Sequence, residues 1–110
     1  MSITKISHAN ATKQSSYTRK QAAKLEETKA KLDGVKAKIK TAVANGQIES
    51  SEQLMKAELQ AESHLATVEQ RLAQVKDASE VSLDDLKIGL ELAWDDLAIS
   101  IRKIVARLTS

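Results

Sequence analysis

Proline is absent from all 110 residues and glycine occurs only three times, so the chain has almost no means of turning. A fold of several short strands needs turn residues between them, and this sequence does not supply them. Long helices do without both residues, because proline breaks a helix interior and glycine weakens one. The fold class that follows is all-α: a long antiparallel helical hairpin of coiled-coil type, with an overhanging or folded-back C-terminal helix. Hydrophobic residues make up 42% and charged residues 29%, a balance that folds. With no Phe, one Trp and one Tyr, burial falls to Leu, Ile, Val, Met and Ala.

Residues 1–13 are polar and without a clear period, and they read as a flexible lead, with Asn10, Thr12 and Ser15 as candidate helix caps. One helical coiled-coil domain occupies 14–110. Its first arm, 14–44, carries Leu25, Leu32 and Ile39 at seven-residue spacing, with Thr28, Val35 and Ala42 between them. Gly34 lies inside this arm, marking either a close helix contact or a tolerated weakness. Asn45-Gly46 is the strong turn signal and sets a bend at 45–49. Ser50 and Gln53 then have the spacing of a capping box, with Ile48 placed to staple onto Leu54.

The long arm, 50–79, shows the most regular period, through Ala61, Leu65, Val68, Leu72 and Val75. Asp77 and Ser82 are candidate caps, but with no Gly or Pro nearby the sequence reads as a helix running on past Ser79, the alternative being a break into a third helix. Folding about the bend sets Ile39 against Met55 or Lys56, Leu25 against Gln70 and Tyr17 against Ala78. The first arm ends there, and 80–108 is left without an intramolecular partner unless the chain folds back.

Charge is unevenly spread. Residues 1–44 carry +7, 45–79 carry −3 and 80–110 carry −2. A basic arm beside an acidic one favours pairing along the hairpin flanks. Lys13, Lys20, Lys24, Lys31 and Lys38 line one side and are candidate partners for Glu58, Glu62 and Glu69. Acids interrupt the basic run and no aromatic residue is interleaved to stack on bases, which argues against a nucleic-acid partner.

The segment 80–108 has two apolar faces. Leu83, Leu86, Leu90, Trp94, Leu97, Ile101, Ile104 and Leu108 form the main one. Val81, Ile88, Leu92 and Ile99 fall nearly opposite, between flanks of Asp84, Glu91, Asp95 and Arg102 on one side and Asp85, Asp96 and Lys103 on the other. A helix apolar on two faces belongs inside a bundle or an oligomer. The expected partner is therefore the chain itself, as a dimer or tetramer, with Leu83, Leu86, Ile88, Leu90, Leu92, Trp94, Leu97, Ile99, Ile101, Ile104 and Leu108 as the self-association residues. Another protein or a membrane surface is the alternative partner, although membrane-surface helices carry Lys and Arg where this one carries Asp and Glu.

Ala78-Ser79-Glu80 and the following Leu83-Asp84-Asp85-Leu86-Lys87-Ile88-Gly89-Leu90-Glu91-Leu92-Ala93-Trp94-Asp95-Asp96-Leu97 resemble the paired tail segment of small bacterial coiled-coil stress-response proteins. Lys24 to Lys40 and Gln53 to Val75 are similar to that family's Lys, Glu and Ala-rich hairpin arms. The first tail tryptophan of the family is replaced by Ser82 or Leu83 here, which leaves Trp94 alone. The resemblance implies a stress-associated, non-catalytic role, near the cell envelope.

Nothing in the chain has the form of a catalytic or cofactor motif. There is no Cys, and His8 and His64 have no paired acid at ligand spacing, so no metal site and no cofactor are expected. Asp84-Asp85 and Asp95-Asp96 are three helical turns apart, too far for a catalytic carboxylate pair. No phosphate loop or nucleophile elbow occurs. With no signal-peptide core and no run of ~20 apolar residues, a cytoplasmic protein is expected, with peripheral attachment to a membrane as the alternative.

Overall fold

In a computed structural model, which describes residues 2–49, 51–78 and 80–109 and the side chains from residue 16 onward except those of 50, 79 and 80, the chain forms three helices. They are α1 (Ser2–Ala44), α2 (Glu52–Asp77) and α3 (Glu80–Thr109), and no strand occurs among the described residues. The molecule measures 67 × 19 × 18 Å. Its long axis is set by α1, whose 43 residues at ~1.5 Å each span roughly 64 Å.

The helical backbone of α1 starts at Ser2, well before the boundary near Gln14 that the sequence pattern suggests. No proline or glycine precedes Gly34, so nothing local opposes helix there. The helix ends where Asn45-Gly46 ends it. Gly46 takes φ +72°, and the Gln47 and Ile48 amides fold back to the Ala42 carbonyl. Gly34 has open space around its missing Cβ, so it is a tolerated weakness and not a close contact.

The capping residue of α2 is Ser51, not Ser50. Its hydroxyl accepts the Leu54 amide, so the cap lies one residue further along the chain. The connection is correspondingly longer than 45–49, and the register between the arms moves with it. Lys36 pairs with Glu62, and Lys29 with Glu69 at 3.0 Å, which sets each α1 residue nearly one helical turn further along α2 than the short bend implies. The flank lysines that bridge to α2 are therefore Lys29 and Lys36. The line of Lys20, Lys24, Lys31 and Lys38 does not make these bridges.

The expectation of one continuous long arm is also corrected. Helix α2 stops at Asp77, Ala78 is extended at φ −75°, ψ 145°, and α3 returns along α2, the two sharing the most extensive contact in the molecule. Magnitudes explain why the chain breaks without a breaker. Ending a helix gives up a few backbone hydrogen bonds of ~0.5 to 1.5 kcal/mol net each. Folding back buries Leu90, Trp94, Leu97, Ile101 and Ile104, and each side chain of that size contributes ~1.5 to 3 kcal/mol.

One core runs the length of the bundle. From α1 it takes Leu25, Leu32, Val35 and Ile39, and from α2 Leu54, Ala61, Val68, Leu72 and Val75. From α3 it takes Leu90, Ala93, Trp94, Leu97, Ile101 and Ile104. Leu65 is only partly buried at its edge, although its spacing matches that of Leu72. Ala93 and Ser100 are buried in α3 beside the larger residues of the seam, and small size lets the helices approach there.

Candidate interaction surface

Helix α3 resolves its two apolar faces differently. Of the residues expected to self-associate, Leu90, Trp94, Leu97, Ile101 and Ile104 are buried within the chain's own bundle, and Leu83, Leu86 and Leu108 pack against the same core. The main face is therefore already occupied by α1 and α2, and the unpartnered overhang does not exist. The remaining three, Ile88, Leu92 and Ile99, are 56%, 60% and 47% exposed, and Val81 in line with them is 96% exposed. A helix in a three-helix bundle buries one face, so a second apolar stripe must point outward.

The outer stripe follows the four-three spacing of a coiled-coil seam. Val81, Asp85, Ile88, Leu92, Asp95, Ile99, Arg102 and Ala106 succeed one another at those intervals, and every one is exposed. Sequence periodicity had singled out the aliphatic members; the acidic, basic and alanine members complete a continuous ridge. Met55 and Leu59 on α2 are exposed as well, but they lie on the opposite side of the α2 core face from Gln60 and His64, which border α3.

Two aromatic residues fix α3 against α1. Trp94 donates its indole N–H to Gln21 Oε1 at 2.6 Å, and Lys24 Nζ stands 4.5 Å from the centre of its ring. Tyr17 has Lys87 Nζ 4.4 Å from its ring centre. Both aromatics are thus core and brace, and the Gln21 partner of Trp94 is not marked by any spacing in the sequence. A cleft of about 210 Å³ lies beside Trp94 between α1 and α3, bordered by Lys24, Lys31, Asp95 and Arg102. It is open and bordered by long flexible side chains, without the convergent rigid polar groups of a ligand pocket. His64 borders a surface groove with Gln60, Asp96 and Lys103, and no group of His, Asp and Glu able to hold a metal occurs among the described residues. His8 lies outside the described side chains. No helix of the described residues is long and apolar enough to cross a membrane.

Three groups have their pKa raised by the fold, and of these only the Tyr17 hydroxyl is buried, the two lysine ammonium groups standing in solvent. Burial, with the Glu91 carboxylate second, raises Tyr17 above its ordinary 10.0, and its hydroxyl is buried without a hydrogen-bond partner. Hydrogen bonds to Glu69 and Glu62 raise Lys29 and Lys36 above 10.5. A group whose pKa is higher in the folded state contributes stability that is complete below its unfolded value and lost as pH climbs through the folded one. Stability should therefore fall above about pH 10. Tyr17→Phe should match or exceed the wild-type melting temperature at neutral pH and lose less of it at pH 11 (thermal melts at both pH values), because it removes one of the three groups and an unpaired hydroxyl.

Comparison with protein-family models, with curated proteins and with solved structures finds no match to this chain.

Proposed function

We propose that this is a non-catalytic bacterial helical protein of the cytoplasm that works by self-association through the outer face of α3, in a stress-response or structural role. The observation that carries the reading is the line of Val81, Ile88, Leu92 and Ile99 on a helix whose other apolar face is already buried. A line of exposed aliphatic side chains along one helix face, interleaved and bordered by charged residues, marks an interaction site more often than scattered single ones do. The stress-response part rests on the resemblance of residues 78–97 to the tail of that family. Asp84, Asp85, Glu91, Asp95 and Asp96 beside the stripe would repel anionic lipid, so a second protein surface is favoured over a membrane.

Sedimentation velocity of the wild type and of Ile88→Ser combined with Leu92→Ser tests this. Both positions are more than half exposed, so the variant keeps its helix content. The wild type should sediment as an oligomer and the variant as a monomer. A wild type that stays monomeric up to about 100 µM, where even weak specific contacts assemble, would remove self-association and leave the stripe to another protein's helix.

A further inference from the structure

The outer ridge of α3 carries aliphatic residues and one pair of opposite charges symmetrically about its midpoint, and this points to how two copies would meet. Asp85 and Arg102, of opposite charge, lie at equal distances from its midpoint, as do Ile88 and Ile99, and Asp95 stands just past the midpoint opposite Leu92. We infer that two copies of the chain pair antiparallel along this ridge about a two-fold axis near Ala93 and Trp94, an arrangement that rests on the self-association reading above and gives it a register.

In that register the seam layers match one by one. Ile88 meets the second copy's Ile99, Val81 meets Ala106, and Asp85 meets Arg102, each contact occurring twice by symmetry. Leu92 meets Asp95, whose carboxylate borders the same cleft as Lys24 and Lys31 of its own chain. The flanking positions avoid like charges as well, since Glu91 faces Ala98 and Asp96 faces Gly89. Parallel pairing would set Asp85 on Asp85, Asp95 on Asp95 and Arg102 on Arg102, three repulsive layers. Neither Asp85 nor Arg102 makes an ion pair within the chain among the described residues, so both are available to the second copy. Docking of the ridge on the basic α1 of another copy is the competing arrangement, and it gives no role to Arg102.

Charge exchange separates these arrangements. Asp85→Arg and Arg102→Asp each place two like-charge layers in the proposed dimer, and each should weaken dimerisation at least ~10-fold by sedimentation equilibrium. Combining both substitutions in one chain should restore the dimer, and mixing the two single variants should yield a mixed dimer of near wild-type affinity. Loss in the single variants without recovery in either arm, or dimers indifferent to both substitutions, would overturn the register while leaving self-association standing. A wild type that is monomeric throughout would overturn both.

Discussion

Replacing Leu90 and Leu97 together by aspartate unfolds the chain. Both side chains are within 1% of complete burial, at the centre of the contact between α3 and the rest of the bundle. Truncating one such leucine to alanine costs ~2 to 5 kcal/mol, and a carboxylate in its place must also be desolvated without a partner. Two such changes exceed the ~5 to 15 kcal/mol that holds a small domain together. Circular dichroism should show most of the helix lost, and the hydrodynamic radius should be that of an expanded monomer. If α3 were instead an overhang joined only to another copy, the same variant would keep a folded hairpin and merely dissociate. A helical, compact monomer would therefore refute the folded-back bundle.

The second large effect separates two leucines that periodicity treats alike. Leu72 is 2% exposed and contacts the core of all three helices' shared seam, whereas Leu65, one heptad earlier, lies half-buried at its edge. Leu72→Ala should cost ~2 to 5 kcal/mol, lowering the melting temperature by roughly 10 °C or more. Leu65→Ala should cost clearly less. Lys29→Ala removes the bridge to Glu69, but its ammonium stands in solvent and the melting temperature should barely move. A greater loss from Lys29→Ala than from Leu72→Ala would mean that charge, and not burial, holds α1 to α2.

The helices and their inward faces were legible because burial writes its period into the sequence. Leu25, Leu32 and Ile39, and Val68, Leu72 and Val75, occupy core positions as their spacing indicates. The bend was legible because Asn45-Gly46 is the single site with the chemistry for a left-handed residue. The return of α3 was not. No glycine or proline marks Ala78, and the decisive term is the burial of residues such as Leu90 and Ile104 against helices distant in sequence, which local propensity does not encode. The choice between two adjacent serines as the cap accounts for about one residue of the register difference between α1 and α2, and no local signal marks the rest. For the surface, sequence indicated both apolar stripes of α3, but only the fold decides which one is left outside.

Everything about that surface depends on α3 lying against α1 and α2 of its own chain. Isotope-filtered NOE spectroscopy on an equimolar mixture of labelled and unlabelled protein tests this most directly, with the Trp94 indole and the Gln21 side chain as reporters, since the two are hydrogen-bonded at 2.6 Å. The folded-back bundle predicts strong contacts between the Trp94 ring and both Gln21 and Lys24 within one labelled chain, and none between labelled and unlabelled chains. Contacts that appear only between chains would show α3 packed on a second copy's hairpin, and would contradict the fold from which the exposed ridge follows.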